Sequence, residues 1–344
     1  MISDKFYMLR AMELAKNGIG QVSPNPLVGC VVVHEDKIIG EGWHRKYGEA
    51  HAEVNAINAV ADKSLLKDSV VYVNLEPCAH TGKTPPCADL LIKHQVSRVV
   101  IANVDPNPLV AGKGISKLKE AGIEVITKVL EDEGHELNKR FFAFLKYKRP
   151  FIILKWAKTS DGFIARENFD SKWISNEYSR KLVHKWRTEE DSILVGYNTA
   201  VHDNPKLTAR DWTGRNPVRI VIDPKLNLDS SLNLFDGATP TICYNTLKQE
   251  VKGNLEYHLL KKERLLQDML TDLFNRSIQS LFVEGGAQTI KIFLTSNVWD
   301  EARVFTSEQS FEHGIEAQII KKEPWSSEMI GNDELNIYSN NTKI

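Results

Sequence analysis

Short runs of β-branched and other apolar residues alternate along the chain with segments whose apolar residues recur at helical spacing. This alternation constrains the fold more than any other feature. Residues 27–33, 70–73, 99–102 and 124–126 read as strands in the first half, and 151–154, 193–195, 219–222 and 281–283 in the second. The turn at Glu35-Asp36 folds the first run back on Ile38-Ile39 as a hairpin. Helices are expected over 3–17, where Phe6, Leu9, Met12 and Ala15 share a face before Gly18, and from about His51. Further helices are expected over 88–93, 116–121, 130–145, 177–188 and 263–274. Alternating elements of this kind pack as α/β layers. A chain of 344 residues suits two domains. Pro150 disfavours helix in the residue before it, and a new strand follows at once, so the boundary is expected there. The predicted domains are residues 1–148 and 149–344. The last dozen residues are polar and are expected to fray.

Charge narrows the functional classes. The chain carries 44 basic and 45 acidic residues, with no basic block, so it lacks the electrostatic footprint of a nucleic-acid binder. No apolar run is long enough to span a bilayer, and the N-terminal segment has no apolar signal core. The expectation is a cytoplasmic protein with a small-molecule substrate and neither membrane nor nucleic acid as partner. Four cysteines are too few for a disulfide scaffold at this length, and clustered cysteines in a reducing compartment point to metal. Cys30 and Cys243 lie in apolar strand runs and are expected in the core.

Cys78 and Cys87, together with His51-Ala52-Glu53, carry the chemistry. Zinc takes nitrogen and sulfur ligands in a tetrahedron, and a catalytic site keeps one position for water. His51, Cys78 and Cys87 supply three ligands, and the two thiolates neutralise the ion while it still acidifies its water. Glu53, two residues after His51 at a helix start, can reach that water without binding the metal and can move its proton to a departing amine. A His-x-Glu followed by Pro-Cys and a second Cys is the signature of zinc nucleobase deaminases. In this chain the two cysteines are separated by the longer insert Ala79-His80-Thr81-Gly82-Lys83-Thr84-Pro85-Pro86.

With that insert in place, the chain resembles the bifunctional deaminase–reductase family of riboflavin biosynthesis. Pro24-Asn25-Pro26-Leu27-Val28-Gly29, His51-Ala52-Glu53, the run from Glu76 to Cys87 and Asp105-Pro106-Asn107-Pro108 carry the likeness in the first half. Asp161-Gly162, Trp173-Ile174-Ser175, Asp203-Asn204-Pro205 and Glu284-Gly285-Gly286 carry it in the second. The resemblance implies an N-terminal cytidine-deaminase-like α/β/α layer domain and a C-terminal dihydrofolate-reductase-like α/β domain. It implies hydrolysis of the 2-amino group of 2,5-diamino-6-(5-phosphoribosylamino)pyrimidin-4-one, then reduction of the ribosyl group to ribityl with NADPH. It assigns zinc to His51, Cys78 and Cys87, proton transfer to Glu53, and the first substrate to Asn25, His44, His80, Lys83, Asp105 and Asn107. Asn25 can both donate to and accept from a pyrimidine edge, and Lys83 suits a phosphate.

In the second half the resemblance assigns the phosphosugar to Lys155, Ser171, Arg187, Leu207, Arg210 and Glu284. It assigns NADPH to Ala157, Trp173, Thr199, Asp203, Gly285 and Gly286, with Lys155 and Asp203 as the residues on which reduction depends. No Gly-x-Gly-x-x-Gly opens a helix, but Glu284-Gly285-Gly286 between a strand and a helix offers backbone donors to a phosphate. Arg187 and Arg210 suit a sugar phosphate through bidentate contacts. Two segments depart from the family pattern, Lys158-Thr159-Ser160 before Asp161-Gly162 and Phe305-Thr306-Ser307-Glu308-Gln309-Ser310, and both fall near the expected cofactor site. A homodimer is the expected assembly. The competing readings are a nucleoside or tRNA base deaminase with a degenerate reductase-like second domain, and a protein in which zinc only staples the fold. A structural zinc would call for a fourth protein ligand.

Overall fold

Each strand expected from the apolar runs is present, and the reason lies in which face each residue is sent to. A computed structural model describes residues 3–79, 85–107, 110–172 and 174–340. The chain falls into two compact units, Met1–Tyr147 and Lys148–Lys343. The first contains α1 (Asp4–Lys16), β1 (Gly29–His34), β2 (Lys37–Trp43), α2 (Ala52–Ala59), β3 (Val70–Leu75) and α3 (Cys87–Lys93). β4 (Arg98–Asn103), α4 (Lys113–Glu120), β5 (Glu124–Ile126), α5 (Glu131–Leu137) and α6 (Lys139–Tyr147) complete it. The sheet order is β2-β1-β3-β4-β5. β1 is antiparallel to both its neighbours, and β3, β4 and β5 are parallel.

Alternation along the strands builds two cores. Val31, Val33, Tyr72, Val100 and Ala102 pack on Tyr7, Met8, Ala11 and Met12 of α1. Cys30, Val32, Val71, Val73, Val99 and Ile101 pack on Ala56 and Ile57 of α2, Leu91 of α3 and Leu118 of α4. The result is an α/β/α sandwich. α2 lies directly on β2 because Gly40 and Gly42 have no side chains, and a Cβ at either would collide with the backbone of Ala56. That close approach sets the position of the helix start, where His51 and Glu53 stand.

The expected helix over 130–145 is two helices. Asn138 separates them, and its side chain accepts from the Leu27 N–H at 2.8 Å and donates to the Leu27 carbonyl at 2.9 Å. Asn74 donates to the same carbonyl at 2.9 Å and accepts from the Gly29 N–H at 2.7 Å. Both asparagines are buried. They fix the approach to β1, directly after Pro24-Asn25-Pro26.

The second unit contains β6 (Phe151–Lys158), β7 (Phe163–Ala165), α7 (Glu177–Glu189), β8 (Ser192–Gly196), α8 (Tyr197–Asp203), β9 (Val218–Ile222), β10 (Thr241–Asn245), β11 (Glu250–Lys252) and β12 (Leu255–Leu259). It continues with α9 (Leu265–Asn275), β13 (Ser280–Val283), α10 (Ala287–Thr295), β14 (Glu301–Thr306), β15 (Ile315–Glu316), β16 (Ser326–Ile330) and β17 (Asp333–Ser339). One sheet is ordered β11-β12-β10-β9-β8-β13-β6-β14-β17-β16, and β7 pairs with β15. The strands from β12 through β14 in that order are parallel. Leu154, Leu194, Leu281, Met269 and Phe293 belong to the core under α9 and α10. On the other face Trp186 of α7 meets Phe282 and Phe305.

β13 lies between β6 and β8, and the chain leaves this centre in both directions. Such a switch opens a crevice at the carboxyl ends of the strands. The polar C-terminal segment does not fray over 333–339. It forms β17, paired along its length with β14. Its alternation of buried Asp333 and Leu335 with exposed Glu334 gives no apolar run to notice. Among the described residues no helix is long and apolar enough to cross a membrane.

Replacing Asn138 with Ala should lower stability by about 1–2 kcal/mol, because two hydrogen bonds to Leu27 are lost in a packed site. Urea denaturation checks this, and an unchanged midpoint would show that the amide does not tie α5 and α6 to β1.

Candidate active sites

In the first unit the reactive residues gather at the carboxyl ends of the parallel strands. His51 is the residue before α2, Glu53 is in its first turn, Cys78 follows β3 and Cys87 begins α3. The ligand atoms of His51, Cys78 and Cys87 all lie within 4.8 Å of one another. His51 Nδ1 is 3.3 Å from Cys87 Sγ and 3.6 Å from Cys78 Sγ, and the Cys87 backbone N–H donates to Cys78 Sγ at 3.3 Å. A hydrogen bond from the Cys87 thiol holds Cys78 below the ordinary thiol value, and the same bond, with burial, pushes Cys87 up. One nitrogen and two sulfurs in this cluster fit zinc. Among the described residues no other His, Cys, Asp or Glu joins it.

Glu53 is buried, and burial together with the nearby Cys78 pushes its carboxyl up to about 6. It lines a cavity of about 340 Å³ with His51, Cys78, Asn25, His44, Asp105 and Asn107. The structure thus brings these expected residues into one pocket. His44 Nδ1 faces the Ala50 carbonyl at 3.1 Å, and Asn25 Nδ2 stands 3.0 Å from His44 Nε2. Burial lowers the pKa of His44, and a neutral ring donating from Nδ1 accepts at Nε2. The pair thereby fixes which end of the Asn25 amide is the acceptor. His80 and Lys83 lie outside the described residues.

Glu76 is a participant that the sequence shows only as part of a motif. Buried after β3, it accepts from the backbone N–H groups of Asp105, Gly112, Gly114 and Ile115 at 2.9–3.2 Å. One carboxylate therefore shapes the loop that carries Asp105 and Asn107. Tyr47 and Phe141 also line the pocket, without any signal in their spacing.

The second unit has a cavity of about 880 Å³ at the ends of β6, β8 and β13. Lys155, Ala157, Ser171, Arg187, Thr199, Asp203, Leu207, Arg210, Glu284, Gly285 and Gly286 all line it. Trp173 lies outside the described residues. Glu284 accepts from Arg187 Nε at 2.7 Å and Nη2 at 2.9 Å, and Arg187 Nη1 donates to the Thr208 carbonyl at 3.0 Å. The Arg187 fork, expected on a sugar phosphate, is engaged by Glu284. Lys155 Nζ is 3.9 Å from Glu284. Burial lowers the Lys155 pKa, and Glu284 opposes this. Burial alone would raise the Glu284 carboxyl, but Arg187 and Lys155 outweigh it and hold Glu284 below its ordinary value. Ser171 Oγ donates to both Asp203 oxygens, at 3.0 and 3.1 Å, while burial raises the Asp203 pKa. Arg210 is the more exposed arginine, 3.7 Å from Asp211.

Gly285 and Gly286 precede α10. A Cβ at Gly285 would meet Thr289 Cβ at 2.6 Å, and one at Gly286 would meet Thr199 Oγ1 at 3.1 Å. Bare backbone at a helix N-terminus, in a cavity with basic side chains, fits the phosphates of a dinucleotide. The two segments expected to depart from the family pattern bond to each other. Ser160 donates to the Gln309 carbonyl through N and Oγ, while Asp161 accepts from Ser310 Oγ and from the N–H groups of Phe311 and Glu312.

Comparison with known proteins matches a part of each half of the chain to a family. Residues 1–103 match the cytidine and deoxycytidylate deaminase zinc-binding region, and residues 150–307 match the RibD C-terminal domain. The riboflavin biosynthesis protein RibD of Aquifex aeolicus is 43% identical over 318 residues, covering 91% of this chain and 89% of that protein. That of Bacillus amyloliquefaciens is 44% identical over 312 residues, covering 88% and 84%. The crystal structure of a diaminohydroxyphosphoribosylaminopyrimidine deaminase/5-amino-6-(5-phosphoribosylamino)uracil reductase from Thermotoga maritima superposes with a TM-score of 0.90 at 38% identity, covering 97% of both chains. RibD of Acinetobacter baumannii gives 0.89 at 31% identity, covering 98% of both.

His184, missed in the sequence, sits three residues before Arg187 on one face of α7 and lines the second cavity. Its Nε2 is 3.1 Å from Asp211, and its buried Nδ1 has no hydrogen-bond partner among the described residues. Burial, then Arg187 and Arg210, hold its pKa down at about 4. An unfolded histidine titrates near 6.5, so between about pH 6.5 and 4 the unfolded chain takes up a proton that the folded one refuses. The stabilising effect of a neutral His184 is complete above that window and is lost as pH falls through it. Urea midpoints measured from pH 7 to 4.5 should fall less steeply for His184→Asn than for the unaltered protein. Parallel curves would show that His184 is not held neutral.

Proposed function

The chain belongs to the RibD family of riboflavin biosynthesis, a zinc-dependent pyrimidine deaminase and an NADPH-dependent reductase in one polypeptide, and on that premise we propose how its residues divide the work. The observation that carries the reading is the convergence of His51, Cys78 and Cys87 within 4.8 Å, with buried Glu53 lining the same pocket as Asn25 and His44. His51, Cys78 and Cys87 hold the zinc, which supplies the Lewis acidity that makes water a nucleophile near neutral pH. Glu53 takes the proton of that water and delivers it to the amine leaving C2 of the pyrimidine. A carboxyl pushed up to about 6 can carry a proton in both directions near neutrality. Asn25, oriented by His44, reads the pyrimidine edge, and Asp105 and Asn107 hold the substrate from the loop that Glu76 shapes. The resemblance adds His80 and Lys83 to this set.

In the second unit, NADPH supplies the hydride that turns ribosyl into ribityl. Gly285, Gly286, Ala157, Thr199 and Asp203 hold the cofactor, joined through the resemblance by Trp173. Ser171, Leu207 and Arg210 hold the phosphosugar. Glu284, kept ionised by Arg187, sets the charge around Lys155, whose ammonium donates to the sugar as it is reduced. The family match runs through residues 150–307, so a degenerate second unit is not favoured. We place the protein in the cytoplasm as a homodimer, and light scattering in solution tests the assembly.

Incubating the purified protein with the diaminopyrimidine phosphate should give the deaminated ribosyl product without NADPH and the ribityl product with it. Glu53→Gln should retain one zinc per chain and lose deamination by roughly 10²–10⁴-fold. It should still reduce an already deaminated substrate. Deamination at the unaltered rate would end the role given to Glu53.

The boundary at Lys148 carries its own test. A fragment of residues 1–148 should fold, bind zinc and deaminate without a nicotinamide cofactor. An insoluble or inactive fragment would show that the first unit depends on the second.

A further inference from the structure

Asp203 is the last residue of α8, and the chain turns sharply behind it. Asn204 ends the helix with a φ of +40°, in the left-handed region that asparagine enters more readily than most side chains. Ser171 Oγ donates to both carboxylate oxygens of Asp203. A partner on the side chain does not place the backbone that carries it. That placement depends on what holds the turn at Asn204.

Asn233 holds it at two points. The Asn233 N–H donates to Asn204 Oδ1 at 2.7 Å, and Asn233 Nδ2 donates to the Asn204 carbonyl at 2.8 Å. One bond would let Asn204 swing about it. Two bonds, one to its side chain and one to its main chain, fix its orientation. Asn233 opens a short 3₁₀ turn, Asn233–Phe235, and lines the second cavity. Its own carbonyl accepts from Arg219 Nη1 at 2.9 Å. Arg219 stands on β9 and is fully buried. Its Nε donates to Thr241 Oγ1 at 2.9 Å, and its Nη2 donates to Asp236 at 2.6 Å and to the Thr239 carbonyl at 3.0 Å. A buried guanidinium engaged on every nitrogen has little freedom, so the clamp on Asn204 is anchored in the sheet.

Asn204 is exposed, so water competes for both bonds and their contribution to stability is small. The clamp acts on geometry instead, and a displacement of about 1 Å at a reacting group can cost roughly a hundredfold in rate. We propose that Asn233 is a positioning residue for Asp203, setting its carboxylate in the cavity by fixing the turn behind it. The proposal rests on the reading of Asp203 as a residue that holds NADPH.

The test is a fluorescence titration of the full-length protein with NADPH, for Asn233→Ala, Asp203→Ala and the double variant. Asn233→Ala should weaken NADPH by about tenfold and leave the melting temperature and the rate of deamination unaltered. In the Asp203→Ala background it should cost nothing further, because a carboxylate already removed cannot be misplaced. Should Asn233→Ala melt early, Asn204→Gly keeps the left-handed turn while removing the side-chain acceptor, and it should weaken NADPH in the same way. Unchanged affinity in the stable variant, or an equal loss with and without Asp203, would overturn the positioning role alone. Unweakened binding by Asp203→Ala would overturn the reading of Asp203 and the proposal with it.

Discussion

Backbone donors near strand ends and loops must find acceptors when they are covered, and in this protein buried or half-buried acidic side chains meet much of that demand. Glu76 gathers four backbone N–H groups after β3. Asp300 accepts from the Ile152 N–H at 2.7 Å while paired with Arg149, and Asp191 accepts from the Gln279 N–H at 2.8 Å while paired with Arg215. Asp223 holds the N–H groups of Asn227 and Leu228, and Asp333 holds that of Asn176. The bonds from Glu76 to the start of α4 and from Asp333 to Asn176 join segments that the sheets alone would leave unconnected, while those of Asp300 and Asp191 extend strand pairs at their ends. A carboxylate forms such bonds more strongly than a neutral acceptor, which suits it to shaping loops that need to be rigid.

This constraint also decides what the sequence reveals. Strands such as β3, β4 and β9 are legible because both of their faces are covered and their apolar runs are continuous. The zinc cluster is legible because only a few residue types bind the metal and their order along the chain is distinctive. Glu76 is hidden, since a glutamate beside a proline and a cysteine looks the same whether it serves a loop or faces water. Asn138 is hidden for a related reason: its side chain bonds to Leu27, 111 residues earlier, so nothing local explains the break between α5 and α6. β10 escapes notice behind a polar loop, and β17 behind its own alternation.

Residues 158–160 and 305–310 are the segments that the sequence reading expects to depart from the family pattern. In three dimensions they meet, with Ser160 on Gln309 and Asp161 on residues 310–312. Beyond residue 305, Ile315 is the described residue that this stretch contributes to the cavity wall. The substituted segment is bound to the first turn after β6 and need not supply ligands to keep its place.

Each unit sets a glutamate into its cavity, and the surroundings send the two in opposite directions. Glu53 has burial and the charge of Cys78 acting on it, and its carboxyl is pushed up to about 6. Glu284 is half-buried, and the forked contact of Arg187 and the nearby Lys155 more than offset its burial and hold its carboxyl below the ordinary value. Burial lowers the Lys155 pKa on balance, and the negative charge of Glu284 opposes that effect. Residue type alone does not distinguish the two glutamates; their neighbours do.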